Sequence, residues 1–333
     1  MVTTEVGRAA EVLRAGGLVA IPTETVYGLA GNGFDASAVG RIFEAKQRPA
    51  TNPLILHIGR REDVERLATG IPELARGLMD AFWPGPLTVL LQRSALVPDA
   101  VTAGGPRVAV RMPAAPLALE LLQLLDFPLA APSANPYTYV SPTRAEHVVA
   151  SLGPRVDLVL DGGPCSFGLE STVVAIEPGP DGRDAVVLYR PGAVTAEALT
   201  AFLAGRAPLL KHRPDAAAPA ASPGLAALHY SPRTPVTLIS DWAEALDSPA
   251  RRPGFLSYRA LPAGLTAGPN VRVLAPTGDP AEAARNLYDA LIALDAAGCD
   301  RLFVELPPDE GLGAVMRERL GRMSREGEAQ IEG

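Results

Sequence analysis

Apolar positions in the first two hundred residues switch between helical spacing and short unbroken runs. Val6, Ala9, Ala10 and Leu13 recur every three or four residues, which predicts a helix over 5–15 closed by Gly16-Gly17. Leu18-Val19-Ala20-Ile21, stopped by Pro22, has the length and composition of a buried strand. Similar runs predict strands at 54–58, 87–91, 108–111, 129–131, 158–160, 172–176 and 185–188. Helical patterns at 38–45 and 116–125 join some of these, and turns such as Pro180-Asp181-Gly182 join others. Strands connected in both ways predict an α/β domain, residues 1–205, on a mixed, twisted sheet rather than a purely parallel one.

The pattern then breaks. The stretch 213–224 is rich in Pro and Ala and has no periodicity, so 206–235 reads as a linker. Beyond it, strands predicted at 236–239, 253–258, 271–274 and 301–306 alternate with two helices. The first opens at Asp279-Pro280, runs to about residue 297 and carries Ala283, Leu287, Leu291 and Leu294 on one face; the second spans 313–323. This order predicts a small Rossmann-like α/β domain over 236–333, without a GxGxxG turn.

Composition narrows the function classes. A chain of 333 residues can bury two cores. No apolar run approaches the roughly 20 residues of a membrane helix, and the first residues lack signal-peptide order. Cys165 and Cys299 form neither a disulfide framework nor a zinc quartet. A reduced, cytoplasmic protein is the expectation. The net charge of −7 argues against a broad nucleic-acid surface, so no stable nucleic-acid binding is expected, while a small basic cleft remains open.

Four segments place polar side chains at strand ends, where α/β proteins bind ligands. They are Pro22-Thr23-Glu24-Thr25, Lys46-Gln47-Arg48 ahead of the strand with His57, Ala131-Pro132-Ser133-Ala134-Asn135, and Gly168-Leu169-Glu170-Ser171. Taken singly, each reads as readily as a set of caps and turns. Lys46 and Lys211 are the only lysines, a bias that fits GC-rich coding as well as function. Lys46 two residues from Arg48 suits a polyphosphate, and Arg111 at a strand end suits a carboxylate or an edge position. No P-loop, zinc cluster or nucleophile elbow is present.

In order, Pro22–Leu29 (PTETVYGL), Lys46-x-Arg48, Asn52-Pro53-Leu54, His57, Trp83–Thr88 (WPGPLT), Val110-Arg111-x-Pro113, Ala131–Asn135 (APSAN), Ser141-Pro142-Thr143 and Glu170–Val174 (ESTVV) resemble the YrdC-type threonylcarbamoyl-AMP synthases. His229-Tyr230-Ser231-Pro232 and the domain after it resemble the long form of that family. The resemblance implies a YrdC-like domain with a concave cleft. It implies synthesis of threonylcarbamoyl-AMP and pyrophosphate from L-threonine, bicarbonate and ATP, with magnesium accompanying ATP. A downstream complex would pass the threonylcarbamoyl group to an adenosine of tRNA.

By the same resemblance, Lys46, Arg48, Ser133 and Asn135 form a catalytic tetrad around the phosphates. Asn52, Arg107, Ser141, Arg190, His229 and Tyr230 join Arg48 and Ser133 at ATP, the His-Tyr pair acting as a lid. Arg111 holds the threonine carboxylate; Thr25, His57, Ser171 and the backbone at Ala131 complete the amino-acid pocket. Lys46→Ala is expected to abolish adenylate formation with little loss of stability. The chain departs from the family at Gly104-Gly105-Pro106-Arg107, Ala115, Tyr137-Thr138-Tyr139 and the uncharged stretch before His229. A carbamoyltransferase working through carbamoyl adenylate and an RNA-binding module are the competing readings.

Overall fold

The computed structural model describes residues 1–212 and 230–323. Eleven strands form one sheet: β1 (Val2–Thr3), β2 (Val19–Ile21), β3 (Gly28–Asn32), β4 (Ile55–His57), β5 (Leu87–Gln92), β6 (Arg107–Arg111), β7 (Leu129–Ala130), β8 (Leu158–Leu160), β9 (Thr172–Pro178), β10 (Asp184–Arg190) and β11 (Leu209–Lys211). Their spatial order is β1-β8-β2-β3-β7-β4-β6-β5-β9-β10-β11. Parallel pairs such as β4–β6 and β5–β9 alternate with antiparallel ones such as β5–β6 and β9–β10, so the sheet is mixed.

Side chains one residue apart on a strand face opposite ways, and the core divides accordingly. Leu56, Val89, Val110, Val174, Val186 and Leu188 enter the main core with the helices Ala36–Lys46, Glu73–Phe82 and Ala196–Leu203. Their strand neighbours Ile55, Leu90, Ala109, Val173, Ala175 and Val187 form a second cluster. At the other end of the sheet, the helices Val6–Arg14 and Pro116–Leu124 pack on β2 and β8.

Residues 236–321 hold a parallel sheet, β12 (Val236–Ile239), β13 (Pro253–Ser257), β14 (Val271–Val273) and β15 (Arg301–Glu305), in the order β12-β15-β13-β14. The helix Pro280–Ala296 starts where Asp279-Pro280 places it, with the Asp279 side chain accepting from the Ala281 N–H. The last helix is Gly311–Gly321.

The two units share packing. Val26, Val140 and Leu169 of the first unit lie in the same buried cluster as Leu287, Leu291 and Met316 of the second. At Gly168, with φ +71°, a Cβ would sit 2.6 Å from the Arg285 Cα, so glycine permits backbone-to-helix contact there.

Three strands escape the hydrophobic pattern. Gly28–Asn32 reads GLAGN, weak in strand formers, and is held in place by pairing with β2 and β7. Val2–Thr3 is too short to show a period. Leu209–Lys211, in the stretch read as linker, pairs parallel with β10 in the large sheet. The Pro/Ala-rich run 213–224 and His229 lie outside the described residues.

Candidate functional site

Strand directions bring the four polar segments to one edge of the large sheet. β4, β6 and β10 end there, at His57, Arg111 and Arg190, while β3 and β9 begin there, beside Thr25 and Ser171. A cleft opens at this edge. It is lined by Thr23, Thr25, Arg48, His57, Arg111, Ala131, Ser133, Glu170, Ser171, Arg190 and Tyr230 among others. Three guanidinium groups against one carboxylate make it a site for anions.

One side is built around Arg111, the register neighbour of His57. Its Nη1 donates to Thr25 Oγ1 at 2.9 Å and its Nη2 to Glu24 Oε1 at 2.6 Å. Glu24 Oε2 accepts from the Ala114 N–H at 3.0 Å, so both carboxylate oxygens are used. Burial, reinforced by the nearby Arg111 charge, lowers the His57 pKa to about 3 and keeps the ring neutral. Its Nδ1 is buried without a hydrogen-bond partner among the described residues. A neutral imidazole with one unused nitrogen can receive a polar group of a ligand.

The other side follows from the end of the helix Ala36–Lys46. Gln47 adopts a left-handed conformation (φ 54°), which turns the chain so that Arg48 enters the cleft wall. Arg48 Nη2 donates to Pro53 O at 3.0 Å, and burial lowers its pKa to about 10. Lys46 does not line the cleft. It is 1% exposed, and its Nζ donates at 2.5 Å to the carbonyls of both Ser133 and Asn135. Burial first, then the charges of Arg48 and Arg155, push its pKa well below the usual lysine value. Lys46 therefore clamps the loop that presents Ser133. Asn135 is buried behind that loop and donates to Tyr139 O at 2.7 Å.

The third wall joins Ser171 to Arg190. Arg190 Nη2 donates to Ser171 O and Ser171 Oγ, each at 2.9 Å, and Ser171 Oγ lies 2.8 Å from Thr88 Oγ1. Gly192 lets this wall close, since a Cβ there would stand 2.4 Å from Glu170 O and 2.5 Å from the Ser171 carbonyl carbon. Ser141 is buried beside the cleft and donates to Glu170 Oε1 at 2.7 Å. Asn52 is buried near Arg48, with its Oδ1 lacking a partner among the described residues.

The sequence-derived set is thus mostly gathered. Thr25, Arg48, His57, Arg111, Ala131, Ser133, Ser171, Arg190 and Tyr230 line one cleft, with Lys46, Asn52, Asn135 and Ser141 packed behind or beside it. Arg107 is not brought there. It begins β6, which Arg111 ends, and pairs with Glu177 at 2.5 Å and the Tyr189 hydroxyl at 2.9 Å. Glu24, Thr23, Thr88 and Glu170 were not singled out as site residues. Glu24 and Glu170 are buried carboxylates inside the quoted motifs, and a carboxylate beside an apolar strand was the available signal.

The comparisons with known proteins cover nearly the whole chain. Residues 11–192 match the Sua5_yciO_yrdC family model, described as telomere recombination. Residues 194–324 match the model described as the threonylcarbamoyl-AMP synthase C-terminal domain. The threonylcarbamoyl-AMP synthase of Pyrococcus abyssi is 39% identical over 327 residues, 95% of this chain and 93% of that one. Its counterpart in Bacillus subtilis is 39% identical over 325 residues, 95% and 92% of the two chains. The crystal structure of P. abyssi Sua5 complexed with L-threonine aligns with a TM-score of 0.85 at 38% identity, covering 97% of this chain and 94% of that one. With both parts of the chain matched and full-length relatives at this identity, the chain belongs to the threonylcarbamoyl-AMP synthase family, in its two-domain form.

Proposed function

We propose that the cleft performs threonylcarbamoyl-AMP synthesis, with L-threonine on the Arg111–His57 side and ATP on the Arg48–Ser133–Arg190 side. The observation that carries this reading is the convergence of three arginines, a neutral histidine and Ser171 at one sheet edge, in a chain that aligns with a threonine-bound relative.

The threonine nitrogen attacks the carbon of bicarbonate, water leaves, and a carbamate forms. A carbamate oxygen then attacks the α-phosphorus of ATP; the bond to the bridging oxygen breaks, and pyrophosphate carries away the electron pair. Nothing in this sequence requires a covalent bond to the protein, so positioning and charge stabilisation do the work. Arg111 holds the threonine carboxylate through its planar fork, backed by Glu24 and Thr25. His57 Nδ1 pairs with a polar group of the amino acid, which favours threonine over analogues that leave the nitrogen unsatisfied. Arg48 and Arg190 oppose the charge that builds on the leaving pyrophosphate. Ser133 contacts the phosphates from a loop that Lys46 and Asn135 hold in place; Asn52 and Ser141 support the nucleotide side. Tyr230 covers the cleft, and His229 is part of the same proposed lid. No nucleotide role is proposed for Arg107.

Magnesium accompanies ATP in this reading, and the described residues offer it no cluster of protein ligands. Among the described residues no group of three His, Cys, Asp or Glu could hold a metal. Glu170, the carboxylate that lines the cleft, and Glu24 behind Arg111 are both engaged by arginines. The ion would be carried by the phosphates, and no step is routed through it. Transfer of the product to tRNA by a partner complex, in the cytoplasm, belongs to the same proposal. Among the described residues no helix is long and apolar enough to cross a membrane.

The test is pyrophosphate release from ATP, with threonine and bicarbonate each omitted in turn. Release is expected only with both present. Turnover without threonine would instead support the carbamoyl-adenylate alternative.

A further inference from the structure

Glu170 poses an electrostatic problem. It lines a cleft that the proposed function fills with polyphosphate, and a bare carboxylate there would repel the substrate. Its compensation comes from the other domain. Arg319, on the helix Gly311–Gly321 and fully buried, donates from Nε to Glu170 Oε2 at 2.9 Å. Tyr288, on the helix Pro280–Ala296, donates its hydroxyl to the same oxygen at 2.9 Å.

The guanidinium of Arg319 serves more than one wall. Its Nη2 donates at 2.6 Å to the carbonyl of Pro191, the residue after Arg190. Its central carbon lies 5.1 Å from the ring centroid of Tyr230, at cation–π range over another cleft residue. Glu318 pairs with Arg319 and with Arg322, so two cations stand against two carboxylates and Glu170 keeps a counter-charge. Glu170, in turn, fixes Ser141 through its other oxygen.

We infer that Arg319 is a positioning residue for the nucleotide: it cancels and aims the Glu170 carboxylate, so that a domain none of whose described residues lines the cleft makes the cleft accept polyphosphate. This inference rests on the reading of the cleft as an ATP site. A buried ion pair adds little net stability compared with apolar packing; its effect here is on anion affinity.

ATP binding by calorimetry, on the full chain, tests it. Wild-type protein is measured first: absence of ATP binding there would fail the functional reading, not this one. Given wild-type binding, Arg319→Met is expected to weaken ATP at least about tenfold and to affect threonine less, because the uncompensated charge faces the phosphates. Arg319→Lys keeps the charge but not the planar fork, so it should lose clearly less ATP affinity than Arg319→Met. Adding Glu170→Gln to Arg319→Met should recover most of the lost affinity. A purely structural role would instead weaken ATP and threonine alike, with affinity tracking stability across the variants. Should Arg319→Met not fold, Arg319→Gln read against Arg319→Lys makes the same comparison, since only one keeps the charge. Unchanged ATP affinity in the neutral variant, or no recovery in the double variant, overturns the inference.

Discussion

His57 links the electrostatics of the cleft to a measurable stability. Its pKa is about 3 in the folded chain, through burial and then the Arg111 charge, against roughly 6.5 when unfolded. Between these values the unfolded chain binds a proton that the folded chain refuses, so stability falls as the pH drops below about 6.5. The contribution is fully present above that pH and is lost progressively towards pH 3. At about pH 5 the folded ring is still neutral, so the unfolded pKa alone sets the size. Going from about pH 7 to about pH 5 should cost His57 protein roughly 2 kcal/mol that a non-titrating residue does not lose. Urea unfolding of wild type and His57→Gln at both pH values isolates this amount, because all other groups cancel in the difference. The same variant should raise the KM for threonine more than that for ATP. If both proteins lose equal stability between the two pH values, the neutral, buried imidazole is the wrong description.

Three further outcomes follow from particular contacts. Lys46→Met strands the carbonyls of Ser133 and Asn135; at about 1–3 kcal/mol for each unsatisfied buried group, it should cost both stability in urea and pyrophosphate release. The expectation of little stability loss from Lys46→Ala took the side chain to face substrate; its burial against two carbonyls points to the larger loss. Arg111→Met leaves Glu24 buried without its cation, worth about 3–5 kcal/mol; adding Glu24→Gln should restore most of the stability but not threonine-dependent turnover. Gly192→Ala drives a Cβ into the backbone of Glu170 and Ser171; a cost of about 1–3 kcal/mol and a fall in kcat/KM of about tenfold or more are expected, read by thermal denaturation and steady-state kinetics.

Much of the fold was legible because buried strands such as Leu87–Gln92 and Asp184–Arg190 are marked by their own apolar runs. Gly28–Asn32 was not, since its strand character comes from its neighbours in the sheet. The site shows the same division. Residue types and order marked Arg48, Arg111, His57 and Ser133, but order alone cannot say which member of Lys46-x-Arg48 faces the cleft. A left-handed residue at Gln47 decides that. Arg107 carried the right chemistry at the wrong end of its strand. Arg319 has a trace in the sequence: it sits on the apolar stripe with Met316, Leu320 and Met323, where a charge requires a buried partner. That partner, Glu170, is far away in sequence, and only tertiary structure joins them.

The central claim is that this cleft joins the carbon of bicarbonate to threonine and to AMP. Mass spectrometry of a rapidly quenched reaction containing ¹³C-bicarbonate, threonine and ATP tests it most directly. The account predicts an adenylate carrying both threonine and a single ¹³C, formed in step with pyrophosphate. Pyrophosphate release accompanied by an adenylate without threonine, or by none, would contradict it.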